Sequence, residues 1–382
     1  MRRSSAARVG LNLLHLVPQE TGGAEIYARR LIPALLEARP GLALTLFVGR
    51  EGAPALRGEA WAEQVEIAEL PVRSRSRVGR VLAEQTLLAG AVRRSGVDLL
   101  HNVFTTAPLS PGVPQVTTVH DIIYKRLPET HGGVLARGLT LLVPLAARRS
   151  ARIIAVSEAT KADLVSELGV PASKIDVVYE GPGMEEAAEP ADEAEVRSAL
   201  GLGDEPVVLS VSAKRPHKNL ERLIDAFAQV TRDHGATLVL PGYWTRFTAA
   251  LEERAAAAGI AHRVRFTGWL DDRALDALYR MAACFAFPSL AEGFGLPVLE
   301  AMKRGAPVAC SRVAPLTEVA GDAACYFDPL DTASIAAAVS ALLSDAALAE
   351  RLVREGLSRA DEFSWERCAA ETLGVYDRTR ST

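Results

Sequence analysis

The feature that most constrains the fold is a repeated alternation. Strand-sized apolar runs take turns with segments of helical period through both halves of the chain, as in parallel sheets covered by crossover helices. In the first half VGLNLLHLV, ALTLFVG, DLLHNV, QVTTVHD, ARIIAVS and DVVYEG read as strands. AEIYARRLIPALLEA, VLAEQTLLAGAVRR and GLTLLVPLAARRS read as the helices between them. The second half repeats the scheme with PVVLSVS, TLVLPG, VRFTG, CFAFPS, PVACS and ACYFD. Its helices include LERLIDAFAQVTRD, RFTAALEERAAAAG, RALDALYRMA and LPVLEAMKRG.

The alternation breaks once, at GPGMEEAAEPADEAEVRSALGLGDEP, which is acidic, rich in Ala and punctuated by Pro and Gly. It reads as a linker followed by a short helix. Two doubly wound α/β domains are therefore expected, over residues 1–182 and 183–363. They would face one another across a ligand cleft at the carboxyl ends of their strands. The amphipathic FSWERCAAETLGVYD follows the second domain, and the terminal helix (364–382) is expected to pack back on the first.

Composition narrows the class. With 49% hydrophobic and 24% charged residues among 382, disorder and fibrous repeats are excluded. The apolar runs are too short to span a bilayer as a helix. The basic N-terminus precedes an apolar run. However, Pro18, Gln19 and Glu20 stand where a cleaved leader needs small residues, so the run reads as a buried strand. Cys284, Cys310, Cys325 and Cys368 have no CxxC spacing, so neither a zinc site nor a disulfide framework is indicated, and a cytoplasmic location is expected.

Charge is uneven. Residues 1–180 hold 22 Lys and Arg against 17 Asp and Glu, whereas residues 181–382 hold 21 against 30. The basic half includes Arg73, Arg75, Arg77 and Arg80. Such a run attracts anionic lipid headgroups or phosphorylated acceptors, and reads equally well as a solvated loop. Peripheral contact with an anionic membrane, at its inner face, is one expectation. Aromatic residues are sparse and do not interleave with the basic ones, which argues against nucleic acid.

The segment FPSLAEGFGLPVLEAMKRGAPV carries the clearest chemistry. A strand ends at Pro288, a glycine-punctuated loop follows, and a helix starts near Leu296 with Pro297 in its first turn. Gly293 and Gly295 let the backbone approach a ligand, and the amides of Phe294, Gly295 and Leu296 can face it. Glu292 precedes the helix and Glu300 lies about a turn inside, so both carboxylates could reach one elongated ligand. The alternative for this pair is helix capping and decoration. AKRPHKN, before the next helical segment, offers cations where a departing diphosphate would gather charge. Its other reading is a solvated loop with Asn219 as N-cap. His120 sits at a strand end in VTTVHDIIY, and Asp121 fits a backbone-fixing role better than that of a base.

Glu292 and Glu300, spaced E-x7-E within EGFGLPVLE, resemble the signature of the retaining, GT-B-fold glycosyltransferases of family 4 (group 1 glycosyltransferases). The resemblance covers most of the chain, through TGGAE, VHD, IIAVSEATKADLVSELGV, VVYEGPG, RPHKNLERLIDAF, VAGDAACYFDP and the final FSWERCAAETLGVYD. It implies two facing Rossmann-like domains and transfer of a hexose from a nucleotide-diphosphate sugar to an acceptor hydroxyl. Glu300 would hold the ribose hydroxyls. Glu292, with the amides of Phe294, Gly295 and Leu296, would contact the donor sugar, since carboxylates accept well from vicinal hydroxyls. Lys218 matches the family's phosphate-binding lysine. The arginine that many relatives carry five residues earlier is replaced by Ala213, leaving Arg215, or failing that Lys214, to supply a second cation. His120 would approach the donor sugar.

Gly22 and Gly23 would let the first loop near the diphosphate or acceptor, and Trp269 and Leu270 would border the nucleobase. Ser157 and Glu158 read as a helix cap. No D-x-D triplet occurs and no metal-ligand spacing is present, so no metal and no cofactor beyond the donor is expected. The donor is expected to be GDP-mannose or a dTDP- or UDP-hexose, and the acceptor a polysaccharide, glycolipid or natural product. Competing readings are a GT-B sugar-nucleotide epimerase and a non-catalytic nucleotide-sugar-binding partner. A periplasmic-type binding protein would require an export signal.

Overall fold

The computed structural model describes residues 8–18, 20–127, 133–184, 187 and 189–381. Glu185, Glu186 and Ala188 of the expected linker, and the first seven residues, lie outside them. The chain divides into two compact units, Met1–Gly181 with Ser364–Thr382, and Pro182–Phe363.

In the first unit, strands β1 (Arg8–Leu13), β2 (Ala43–Val48), β3 (Glu66–Glu69), β4 (Leu99–Asn102), β5 (Gln115–Val119), β6 (Arg152–Ala155) and β7 (Ile175–Val177) form one sheet. Its order is β3-β2-β1-β4-β5-β6-β7, and every pairing is parallel. The second unit holds β8 (Val207–Leu209), β9 (Thr237–Pro241), β10 (Val264–Gly268), β11 (Cys284–Phe287), β12 (Val308–Ser311) and β13 (Cys325–Phe327). Their order, β10-β9-β8-β11-β12-β13, repeats the same winding. The order reverses between β1 and β4 in one sheet and between β8 and β11 in the other, and it is there that doubly wound sheets open a crevice for ligand.

Every sequence-predicted strand is present. β3 was not anticipated, because EIAE carries glutamates at both ends and no apolar run. It pairs with β2 at the sheet edge, where polar residues are tolerated. The predicted helix VLAEQTLLAGAVRR is in fact two, Arg77–Gln85 and Leu87–Ser95, broken at Thr86. The linker leads into a short helix, Glu193–Leu200, capped by Asp192.

The last helix, Trp365–Arg380, buries Cys368, Leu373, Val375 and Tyr376 in the same core as Val9, Leu11, Leu31 and Leu44. Tyr376 Oη lies 2.6 Å from Nδ1 of the fully buried His101, whose Nε2 is 2.8 Å from Thr118 Oγ1. On one face of the second unit's sheet, Val208, Leu238, Leu240 and Phe327 form a core with Phe227 and Ile335 of the covering helices.

At the first sheet's switch point a carboxylate is buried. Asn12 of β1 donates to Glu84 Oε1 at 2.9 Å and to Asn102 Oδ1 of β4 at 3.0 Å, and Thr106 donates to the same Glu84 oxygen at 3.0 Å. Burial outweighs these donors and pushes the Glu84 carboxyl from 4.5 up to about 7. Between those two values the folded state holds a proton the unfolded chain has released, so stability falls as pH rises through that window, by roughly 3 kcal/mol in all. Glu84→Gln keeps the acceptor oxygen. It is expected to raise the melting temperature over wild type by several degrees at about pH 8 and to leave it nearly unchanged at about pH 4. Equal differences at both pH values would exclude a protonated buried carboxyl.

Candidate active site

The second unit's site grows from the loops that follow β8 and β11. After β8 the chain makes one tight turn, Pro216–Lys218, and Asn219 adopts a left-handed conformation at φ 57° before the helix Leu220–His234. Asn219 occupies the N-cap position, but its side chain makes no capping bond. Instead Nδ2 donates to Pro288 O at 3.0 Å and to Pro329 O at 2.8 Å, and Leu290 N donates to His217 O at 2.8 Å. The two loops are thereby tied together. Across them Lys218 Nζ meets Glu292 Oε1 at 2.5 Å, with Nζ 5.4 Å from the centre of the Phe287 ring.

Beyond Glu292, Phe294 is buried and edge-on to Phe363 at 5.7 Å, which anchors the glycine loop. Gly295 precedes the helix Leu296–Lys303 at φ 118°, and a Cβ there would stand 2.6 Å from Leu316 Cδ2. The backbone conformation favours glycine, and any side chain there would also have to displace the Leu316 methyl. Leu296 and Pro297 open the helix; Pro297 carries no amide hydrogen and Val298 N donates to Gly295 O at 2.9 Å, which leaves the Leu296 amide without an intrahelical acceptor. Glu300 follows one turn in, 5% exposed.

The two candidates for the second cation differ. Lys214 is buried, its ammonium donating to Leu240 O and Gly242 O at 2.9 Å each, and burial pushes its pKa down to about 7. Arg215 is exposed and makes no ion pair among the described residues, so its head remains available to a ligand. Trp269 follows β10, 58% exposed and stacked on Tyr243 at 4.9 Å between centroids, with Leu270 half-buried beside it.

In the first unit, Gly22 has φ 69° at the start of the helix Gly23–Ala38, with open space where a Cβ would project. His120 follows β5. Its Nε2 donates to Val103 O at 2.9 Å and its Nδ1 lies 3.2 Å from Glu180 Oε1, while Tyr27 packs edge-on at 4.9 Å. Both ring nitrogens are therefore engaged. Burial opposes charging the ring, but the Glu180 carboxylate outweighs it, aided by Val103 O and Asp121, and holds His120 above its ordinary value. Asp121 Oδ1 accepts from Ile123 N at 2.9 Å, a local backbone role. Ser157 caps the helix Glu158–Leu168 through Thr160 N.

Sequence reasoning missed Glu180, although VVYEGPG contains it, and missed the groups that surround Glu300. Nothing in the spacing of Glu180 or Tyr279 points to His120 or Glu300. Among the described residues no group of three or more His, Cys, Asp or Glu side chains gathers as a metal site.

Comparison with known proteins places this architecture. Residues 192–359 match the family model for glycosyl transferases group 1, and residues 21–182 match that for glycosyltransferase family 4. O-antigen chain mannosyltransferase B of Escherichia coli is 32% identical over 267 residues, covering 68% of this chain and 69% of that one. The 2-deoxystreptamine glucosyltransferase of Streptomyces kanamyceticus is 31% identical over 367 residues, covering 87% and 93%. Among solved structures, Anabaena HepE in complex with UDP and glucose superposes with a TM-score of 0.74 at 22% identity, covering 98% of this chain and all of that one. Two parallel-sheet Rossmann-like domains of this kind make up the GT-B fold. The chain belongs to the group 1 glycosyltransferases of family 4, and it is a glycosyltransferase.

The His120–Glu180 pair yields a direct test. In Glu180→Gln the burial penalty remains and the charge is gone, so the imidazole pKa is expected to drop below its wild-type value. Histidine titration followed by NMR reads this, and an unchanged midpoint would show that Glu180 does not sustain the imidazolium.

Proposed function

We propose that this enzyme transfers a hexose, with retention at the anomeric carbon, from a nucleotide-diphosphate sugar to an acceptor hydroxyl, without a metal ion or any further cofactor. One observation carries the reading. The Lys218 ammonium and the Glu292 carboxylate meet at the switch point of the second sheet, beside a glycine-opened helix N-terminus with Glu300 one turn inside. A cation, two carboxylates and a helix N-terminus match the successive parts of a nucleotide sugar.

In this reading Glu300 accepts from the ribose hydroxyls and Glu292 from the sugar hydroxyls, with the amides of Phe294, Gly295 and Leu296 alongside. Lys218 leaves Glu292 in part to meet the diphosphate, and Arg215 supplies the second cation. As the anomeric C–O bond breaks, negative charge grows on the phosphate oxygen, and fixed cations stabilise that state more than the ground state. The departing oxygen takes the acceptor's proton on the same face while the acceptor oxygen bonds the anomeric carbon. His120, its ring engaged by Val103 O and Glu180, approaches the donor sugar in this reading. Trp269 and Leu270 border the base, and Gly22 and Gly23 admit the diphosphate or the acceptor.

The proposed donor is GDP-mannose or a dTDP- or UDP-hexose; transfer of mannose is supported by the mannosyltransferase relative and transfer of glucose by the glucosyltransferase relative. The acceptor is a hydroxyl of a polysaccharide, glycolipid or natural product. A thermal-shift panel of UDP, GDP, dTDP, ADP and NAD, with and without EDTA, tests the donor. A ligand at about 100 times its dissociation constant adds roughly 2.7 kcal/mol. One nucleoside diphosphate is expected to raise the melting temperature equally with EDTA, and a shift with NAD alone would refute the reading. Lys218→Ala is expected to lower kcat by about 100-fold or more.

The enzyme is further proposed to be cytoplasmic and to rest on the inner face of an anionic membrane. No single described helix is long and apolar enough to cross one. Helix Arg77–Gln85 exposes Val78 (71%) and Leu82 (60%) four residues apart, beside exposed Arg73, Arg75 and Arg77. Arg80 is turned inward to Ser74 O, and Arg75 pairs with Glu20. Co-sedimentation with phosphatidylglycerol vesicles is expected to be salt-sensitive and to weaken in Val78→Ser/Leu82→Ser. Equal recovery with neutral vesicles would remove the anionic attraction, and no recovery with either would remove the membrane role.

A further inference from the structure

Glu300 is not held by the helix that carries it alone. Tyr279, fully buried on the helix Asp272–Met281, donates its hydroxyl to Glu300 Oε2 at 2.9 Å. Its ring is flanked by Phe285 at 5.5 Å between centroids and by the Arg304 guanidinium at 5.4 Å. The side chains of Arg304 and Asp276 are completely buried, and Arg304 Nε meets Asp276 Oδ1 at 2.6 Å. Arg304 Nη1 donates to the Glu300 main-chain oxygen at 3.2 Å, and Arg280 Nε to Asp276 Oδ2 at 2.6 Å. Two carboxylates and two guanidiniums balance one another around one phenol.

Such an arrangement is costly. Removing either partner of a buried ion pair leaves an uncompensated charge, and apolar packing would fill the space as well. What it gives is a carboxylate with one oxygen occupied and its direction set. A carboxylate that reads a vicinal diol must stay ionised and must not rotate, because a diol is recognised by the placement of two acceptors. Burial works against ionisation of Glu300, and so does Asp272. The Arg304 charge, the Tyr279 hydroxyl and the Met184 backbone amide work for it; burial prevails and holds the carboxyl above its ordinary value, so each of these helpers counts.

We propose that Tyr279, braced by the Arg304–Asp276 pair, is a positioning residue that orients Glu300 toward the donor's ribose, so that discrimination between ribo- and deoxyribonucleotides is set in part by groups that do not touch the nucleotide. The proposal rests on the ribose-binding role of Glu300. Tyr279 removes one orientation of the carboxylate from the ensemble, leaving Oε1 and the remaining lone pairs of Oε2 for the two hydroxyls. Arg304 and Phe285 fix the ring that fixes the carboxylate.

Calorimetric titration of GDP against 2′-deoxy-GDP, and of UDP against 2′-deoxy-UDP, separates the two ideas. The wild type is expected to favour the ribonucleotide of the pair it binds by on the order of tenfold, the usual effect of one hydrogen bond to a charged acceptor. Glu300→Gln should bring the ratio close to one. Tyr279→Phe, which removes a single hydroxyl, should reduce it severalfold while the protein still melts cooperatively. It should also raise the pH below which discrimination disappears, since the lost hydroxyl favoured the ionised carboxylate. The charged and titratable groups around Glu300 are Arg304, Asp276, Arg280, Asp272 and Tyr279.

A wild-type ratio in Tyr279→Phe together with a collapsed ratio in Glu300→Gln overturns the positioning role and leaves the Glu300 assignment standing. A wild-type ratio in Glu300→Gln overturns both. Should Tyr279→Phe fold poorly, Arg304→Lys keeps a charge opposite Asp276 but gives up the planar guanidinium on the ring. Its ratio is expected to fall as well, and an unchanged one overturns the proposal.

Discussion

Parallel pairing is the constraint from which the rest follows. Strands that all run the same way must be joined by crossovers, so both faces of each sheet are covered and the strand bodies become continuous apolar runs. Charged groups then gather near the strand ends, while the polar residues inside the strands, such as His101 and Thr118, are bonded to one another. At the carboxyl ends, where the winding reverses between β8 and β11, two loops depart in opposite directions, and the gap between them admits a ligand. A crevice of this kind is useful only if its two sides hold station. Asn219 achieves that with one side-chain amide bonded to carbonyls of two other segments.

Electrostatics inside each unit obeys a second rule, that a buried charge is paired or neutralised. Lys218 meets Glu292, Arg304 meets Asp276, and His120 meets Glu180. Lys214 and Glu84 take the other route, with burial pushing both toward the neutral form near pH 7. Pairing of Lys218 with Glu292 has a functional consequence in the proposed reaction. Each is the counter-ion of the other until a donor brings a diphosphate for the lysine and hydroxyls for the carboxylate, so no bare charge has to be kept in wait.

The local signals were legible because the features they report are themselves local. Apolar runs ended by Gly or Pro marked the strands, and the glycine-punctuated EGFGLPVLE marked a backbone that must approach a ligand. β3 was illegible since an edge strand can be polar, and the break at Thr86 went unread since both helices share one apolar period. Glu180, Tyr279, Asp276 and Arg304 could not be singled out at all. Each acquires its role only from a residue that the fold brings beside it: 60 positions away for His120 and Glu180, 21 for Tyr279 and Glu300.

By itself the sequence determined two doubly wound domains, the family, and the segments that carry charge and glycine. Periodicity and turn chemistry act over a few residues, and such information survives in one dimension. Only the tertiary structure decided that Lys214 spends its ammonium on backbone carbonyls while Arg215 stays exposed. It likewise decided that Asn219 clamps two loops instead of capping a helix, and that the Glu300 carboxylate is aimed by a phenol on another helix. Those outcomes depend on which atoms lie within about 3 Å of one another, and distance between residues far apart in the chain is set by packing alone.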